Sequence, residues 1–172
     1  DWFNSNTPYA HREQSSLELA KEQIKKCLNV KGGYVLFFRC ATEAIEWLFN
    51  ASNEWGDIRY SQFSHDSVVN AHKRLNGVGE SEIYVDQLIN PITGDYVALN
   101  PWYLHGFFGC DYTAAIGHTI LPENPTYDFT YDFIFFSGHK FYTEKGIGAI
   151  WISNRLGQYL GATKDPKNQY NL

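Results

Sequence analysis

The first long segment with helical periodicity is SSLELAKEQIKKCLNV, whose polar and apolar positions indicate one buried stripe. The apolar residues of this stripe are Leu17, Ala20, Ile24 and Leu28. Ser15 or Ser16 is available to cap the helix, and the pair Gly32-Gly33 marks its end. We therefore predict a helix that begins at these serines and stops before the glycines.

Short apolar runs predict the strands of a sheet. The clearest runs are YVLFF at 34–38, DIRYSQF at 57–63, YDFIFF at 131–136 and GIGAIWIS at 146–153, and SEIYV at 81–85 is a weaker candidate. Helical spacing recurs in ATEAIEWLF and VVNAHKRL, whereas NPITG has the composition of a loop and WYLHGFFGCDY has no clear period. Strands that alternate with helices predict a layered α/β domain with parallel strands.

Polar clusters follow several of these apolar runs. They are Arg39 to Thr42, Ser64 to Ser67, Asp111, and Ser137 to Lys140. Because the carboxyl ends of parallel strands meet at one edge of a sheet, ligand groups collect there in open α/β folds. The sequence therefore predicts a site formed by these four clusters.

Composition narrows the class of protein. The 172 residues are 44% hydrophobic and 17% aromatic, which is typical of one globular domain and excludes a disordered chain. A net charge of -5 with scattered basic residues argues against nucleic acid or an anionic membrane as a partner. The three cysteines have no metal-binding or disulfide spacing, so we expect reduced thiols, a cytoplasmic compartment and no metal site. The sequence has no methionine, so we expect a processed chain or a fragment.

Each polar cluster has a structural and a chemical interpretation. Thr42 is either a helix cap or part of an anion site at a helix N-terminus. His65 is either a structural histidine or a ligand contact, and Asp111 either caps the next segment or pairs with a buried cation. Lys140 is either a strand-end lysine that reaches solvent or a nucleophilic amine, with Ser137 and His139 beside it for an anion.

The chemical interpretations together describe one cofactor. An amine for a Schiff base, a carboxylate for a pyridinium nitrogen, a helix N-terminus for a phosphate and a ring for stacking are what pyridoxal 5'-phosphate requires. The segments SGHKFYTEKGIGAIWI, CATEAI, FSHDS and CDYTAAIGH carry these groups in order. With these motifs the chain resembles the class V aminotransferase family of pyridoxal-phosphate enzymes, and within it the cysteine desulfurases, from about residue 5 to 155.

The resemblance implies a role for each motif residue. Lys140 would be the catalytic Schiff-base lysine, and Asp111 would face the pyridine nitrogen. His65 would stack on the ring. The phosphate would be held by Thr42, Ser137 and His139. The resemblance also implies a three-layer α/β/α fold with a mostly parallel sheet, the large domain of the fold-type-I transferases.

Several positions depart from the family pattern. Ala114 stands where the family has a glutamine that hydrogen-bonds the phenolic oxygen of the cofactor. Pro91 replaces the asparagine of the family's NNETG loop, with Asn90 beside it as a weak substitute. The interval from His65 to Asp111 is shorter than in the family. Ala114 and the segment HDSVV are also similar to the molybdenum-cofactor sulfurases.

The expected organisation is a pyridoxal-phosphate-binding large domain over residues 1–156 and a polar tail or linker over 157–172, with the family's small C-terminal domain absent. Cys27, Cys40 and Cys110 match no catalytic cysteine of the family. The resemblance implies an amino acid substrate, a homodimer and a sulfur-acceptor protein. The alternatives are a truncated homologue that acts as a non-catalytic binding module, and another class V transaminase, lyase or epimerase.

Overall fold

The computed structural model describes residues 8–51, 55–74, 81–90, 92–97, 106–118, 131–140 and 144–161. Four α-helices lie in these ranges: α1 Pro8–Cys27, α2 Ala41–Asn50, α3 Asp66–Lys73 and α4 Asn154–Tyr159. The strands are β1 Tyr34–Phe38, β2 Trp55–Tyr60, β3 Ser81–Gln87, β4 Phe107–Asp111, β5 Phe133–Ser137 and β6 Gly148–Ile152. A short 3-10 helix, Gly138–Lys140, follows β5 directly.

The six strands form one sheet in the order β1-β6-β5-β4-β3-β2. Strands β2, β3, β4 and β5 pair in parallel, whereas β6 runs antiparallel to both of its neighbours, β5 and β1. The predicted α/β architecture with a mostly parallel sheet is therefore confirmed. The parallel pairing brings the carboxyl ends of β3, β4 and β5 to one edge of the sheet.

Each face of the sheet is covered by its own hydrophobic core, because alternate side chains along a strand point to opposite faces. One core contains Ile45 of α2, Val68 of α3 and Leu156 of α4 against Ile83 and Phe135 of the sheet. We call this side the α2/α3 face. The second core contains Leu28, just after α1, and we call its side the α1 face. Helices on both faces give the three layers that the sequence predicted.

The structure corrects the predicted start of the first helix. It begins at Pro8, so Ser15 and Ser16 lie inside the helix and do not cap it. Proline is favoured in the first helical turn because its missing N–H is not needed there. The capping prediction was wrong because the search for a cap started at the apolar stripe and not at the preceding polar residues.

Strand β4 comes from the segment without clear periodicity. Of its five residues, all but Phe108 are buried, and the core residues Phe107 and Cys110 lie on opposite faces of the sheet. A strand covered on both faces has no polar alternation for sequence reasoning to detect.

The predicted tail also begins within a regular element. Helix α4 continues through the buried Gly157 to Tyr159, and residues 162–172 lie outside the described residues. The boundary between residues 156 and 157 stays a prediction. Within the described ranges, no helix has the length and apolar character needed to cross a membrane.

Candidate active site

Three polar side chains end the neighbouring strands β3, β4 and β5, and all three are buried: Gln87, Asp111 and Ser137. Their neighbours in the chain lie in the core on the α1 face: Leu88, Cys110 and Phe136. Because strand side chains alternate, the three polar groups point to the α2/α3 face. Gln87 and Asp111 are also partners in the β3–β4 register, so they lie side by side at the edge of the sheet.

The N-terminus of α2 meets this edge. The backbone N–H of Ala41 donates to the hydroxyl oxygen of Ser137 at 2.7 Å, and Thr42 is half-buried in the same first turn. The N-cap residue, Cys40, makes no side-chain hydrogen bond to the helix. A first turn without a side-chain cap presents N–H donors and the positive end of the helix dipole, which suits a phosphate.

A glycine allows this close approach of α2 to the sheet. Strand β6 begins at Gly148, where a Cβ atom would lie 2.7 Å from the backbone Cα of Cys40. Any side chain there would push the helix away from β5. The second glycine of the GIG sequence therefore keeps the helix N-terminus beside Ser137.

Thr113 connects the phosphate-suited turn to the carboxylate. Its hydroxyl accepts a hydrogen bond from the N–H of Ser137 at 3.2 Å, and its own N–H donates to Oδ1 of Asp111 at 2.8 Å. The hydrogen bonds therefore run from Ala41 through Ser137 and Thr113 to Asp111. Sequence reasoning missed Thr113, although an aspartate that accepts from the N–H two residues later is a common turn signal.

Asp111 is fully enclosed, and burial raises its pKa because the ionised form loses its hydration. Hydrogen bonds from Thr113 and the nearby charge of His65 lower the pKa by less. Among the residues that the structure describes, none forms an ion pair with Asp111. A cationic ligand nitrogen at this position would favour the ionised carboxylate.

His65 lies at the same edge, where it is the N-cap of α3. Its Nδ1 accepts from the backbone N–H of Ser67 at 3.1 Å and lies 2.9 Å from the Ser67 hydroxyl. An accepting Nδ1 places the ring proton on Nε2. The exposed ring is thus held by its capping bonds and remains available for stacking.

Lys140 and His139 lie on the 3-10 helix that follows Ser137, and both side chains are exposed. The backbone carbonyl of Lys140 contacts Nε2 of His118, which ends the CDYTAAIGH motif. Neither side chain makes a hydrogen bond or ion pair with another predicted site residue in the described ranges. The structure thus joins Ser137, Asp111, His65 and the turn of Thr42, and it leaves Lys140 and His139 at the rim. Sequence reasoning gave His118 no role.

Two departures from the family pattern can be located. Ala114 lies half-buried in the turn after Asp111, where its methyl group cannot hydrogen-bond. Oδ1 of Asn90 accepts from the N–H groups of Ile92 and Thr93, so Asn90 caps its own turn and does not substitute for the missing asparagine. Pro91 lies outside the described residues.

The donor set fits pyridoxal phosphate. It contains N–H groups for a phosphate, a buried carboxylate for a pyridinium nitrogen and a nearby amine. Oε1 of Gln87 is a buried polar atom without a hydrogen-bond partner in the described structure, and it lies next to Asp111. A buried acceptor without a partner is costly, so its position beside the carboxylate indicates room for a polar ligand.

Comparisons with known proteins agree with this geometry. Residues 105–166 match the family described as aminotransferase class-V. The cysteine desulfurase IscS of Clostridium botulinum is 22% identical over 181 aligned positions, which cover 85% of this chain and 45% of that protein. The chain therefore spans less than half the length of this curated relative.

Solved structures show the same fold. A NifS-like protein from Rickettsia africae superposes with a TM-score of 0.68 at 17% identity, over 88% of this chain and 50% of that one. The ureidoglycine-glyoxylate aminotransferase of Bacillus subtilis gives a TM-score of 0.71 at 13% identity, over 96% of this chain and 52% of that one. The predicted fold-type-I large domain, present in part, and the resemblance to class V aminotransferases of the cysteine desulfurase type are confirmed.

Proposed function

Since the chain resembles class V aminotransferases, which depend on pyridoxal phosphate, we propose that it is the cofactor-binding part of an enzyme acting on an amino acid. One observation carries the proposal. Hydrogen bonds link Ala41, Ser137, Thr113 and Asp111, and Lys140 follows Ser137 by three residues. An anion site, a buried carboxylate and a reactive amine are thereby built onto one edge of the sheet.

The phosphate would be held at the first turn of α2. The Ser137 hydroxyl accepts from Ala41, so its own hydrogen remains to donate to a phosphate oxygen. Thr42 adds a hydroxyl and an N–H from the helix, and His139 adds a ring at the rim. Hydrogen bonds to an ionised phosphate are about twice as strong as neutral ones, which favours this arrangement.

Asp111 would keep the ring nitrogen protonated, and His65 would stack on the ring. When bound, the cofactor supplies a ring that accepts electrons from a carbon atom attached to the substrate nitrogen. Lys140 would bond to the cofactor through its amine and would later accept the α-proton of the substrate.

We propose that the reaction is of the cysteine desulfurase type, because relatives with that activity match most of this chain. The substrate would be an amino acid, and the full-length protein would be a homodimer that passes sulfur to an acceptor protein. Sulfide release from L-cysteine in the presence of a reductant would test this class of reaction. Amino-group transfer to a keto acid without sulfide release would favour a transaminase instead.

Absorbance spectra test the binding of the cofactor. The purified chain with added pyridoxal phosphate is expected to develop a band at roughly 410–420 nm, the range of a cofactor bonded to lysine. Lys140→Ala should lose the band. Lys145→Ala is the matched control, because Lys145 is an exposed lysine five residues further along, and it should keep the band.

A wild-type chain that stays colourless would overturn the proposed cofactor binding. A band that survives in Lys140→Ala and disappears in Lys145→Ala would overturn the assignment of the lysine alone.

A further inference from the structure

Gln87 is the one residue at the edge of the described sheet whose polar group is buried and incompletely satisfied. Its side chain is 3% exposed, and its Oε1 has no hydrogen-bond partner in the described structure. It ends β3 and lies in register with Asp111 on the α2/α3 face. A buried carboxamide oxygen without a partner is unfavourable, so a ligand atom is the natural candidate to complete it.

The strand order shows which part of the cofactor this would be. Ser137, Asp111 and Gln87 end the successive strands β5, β4 and β3. In pyridoxal phosphate the phosphate arm and the phenolic oxygen lie on opposite sides of the axis through the ring nitrogen. With the phosphate at β5 and the nitrogen at β4, the side that bears the phenolic oxygen faces β3.

The side chains around that position leave few other donors or acceptors. Ala114 has a methyl group where a longer polar side chain would be needed, and the carboxamide of Asn90 is bonded to its own turn. A glutamine carboxamide carries both donors and an acceptor, and it can present either to an oxygen atom.

We infer that Gln87 is a cofactor-positioning residue whose carboxamide hydrogen-bonds the phenolic oxygen of pyridoxal phosphate. This inference rests on the proposed function. It assigns to the end of β3 a role that the motif residues leave unfilled, and it explains why a polar side chain is buried there without a protein partner for its oxygen.

Binding titrations of Gln87→Met test the inference. Methionine has a similar length and shape but no carboxamide. We expect the dissociation constant for pyridoxal phosphate to rise about tenfold, the value of one buried hydrogen bond. The constant for the 3-deoxy analogue, which lacks the phenolic oxygen, should be unchanged. Gln62→Leu, at an exposed glutamine, is the control and should alter neither constant.

A measurement without cofactor separates positioning from structure. Because Oε1 has no partner in the protein, Gln87→Met should leave the urea midpoint of the unliganded chain the same or higher. A fall in the midpoint would show that Gln87 holds the fold and would overturn the inference. Gln87→Leu repeats the comparison if the methionine variant gives no soluble protein.

The outcomes also separate this inference from the proposed function. If wild type binds pyridoxal phosphate and Gln87→Met binds both cofactors as wild type does, the inference is overturned and the proposed function stands. If the variant loses both cofactors equally, the role of the phenolic oxygen is likewise overturned. If wild type binds neither, both proposals fail.

Discussion

The hydroxyl oxygen of Ser137 accepts a hydrogen bond from the backbone N–H of Ala41 at 2.7 Å. The two residues are 96 positions apart in the chain, and both are buried. This bond joins the start of α2 to the end of β5 and therefore fixes the turn of Thr42 relative to the segment that carries Lys140. The anion site and the amine are held together by this single contact between distant parts of the sequence.

Removing the Ser137 hydroxyl should weaken both the fold and the site. In Ser137→Ala the buried N–H of Ala41 loses its acceptor, which costs about 1–3 kcal/mol in the free energy of unfolding. Urea denaturation measures this loss, and a titration measures the affinity for pyridoxal phosphate, which should also fall.

Ser153→Ala is the matched control for this variant. Ser153 caps α4 and accepts from the N–H of Leu156, away from the candidate site. We expect a comparable loss of stability with unchanged cofactor affinity. Equal affinity in both variants would argue against Ser137 as a phosphate contact.

Asp111→Asn should stabilise the unliganded chain at neutral pH. Burial raises the pKa of Asp111, so its ionised form opposes folding once the pH exceeds the ordinary range of a carboxyl group. Asparagine keeps an oxygen for the N–H of Thr113 and removes the charge. Thermal unfolding at pH 7 should show a higher midpoint without cofactor, and cofactor binding should weaken.

Asp132→Asn gives the opposite expectation and serves as the comparison for Asp111. Asp132 is buried and pairs with the guanidinium of Arg155, which also contacts the carbonyl of Gly106. Its loss should lower the midpoint, because the arginine would keep only part of its hydrogen bonding. A lower midpoint in Asp111→Asn as well would contradict the destabilising charge at Asp111.

Asp86 predicts a pH dependence of stability that is independent of the cofactor. Burial raises its pKa from 3.8 to about 6, although hydrogen bonds from Gln87 and Ser61 partly offset the shift. Between those two pH values the unfolded chain is ionised while the folded chain holds the proton, so stability falls as the pH rises. The loss attributable to this carboxyl group is on the order of 3 kcal/mol by pH 7.

Urea denaturation at pH 4, 5, 6 and 7 would measure this dependence. Asp86→Asn should give a smaller decrease in the free energy of unfolding over that interval than wild type does. Parallel curves for the two proteins would contradict the raised pKa of Asp86.

Gly148→Ala should separate α2 from the sheet. The added Cβ would lie 2.7 Å from backbone atoms of Cys40, which cannot move without shifting the helix. We expect a loss of about 3 kcal/mol or more, together with weaker cofactor binding.

Gly146→Ala is the control, since a Cβ there meets no atom within 4 Å. Its positive φ of 91° makes alanine strained, at a cost of about 1 kcal/mol. A smaller loss for Gly148→Ala than for Gly146→Ala would contradict the steric role of Gly148.

Much of the fold could be predicted from the sequence. The runs YVLFF, YDFIFF and GIGAIWIS became β1, β5 and β6, and ATEAIEWLF became α2, because strong local periodicity survives packing. The direction of β6 could not be predicted, since parallel and antiparallel neighbours use the same apolar residues. The start of α1 and the strand β4 were missed, the first because its opening turns are polar and the second because both of its faces are buried.

The sequence by itself determined which reactive groups follow the strands, namely Asp111, Ser137 and Lys140, and it determined the resemblance that gives them roles. Only the tertiary structure decided which of them meet. Thr113, His118 and Gln87 carry no local signal strong enough to mark them, because their importance depends on partners in other strands. A hydrogen bond between positions far apart in the chain, or a buried oxygen that lacks one, exists only once the sheet has formed.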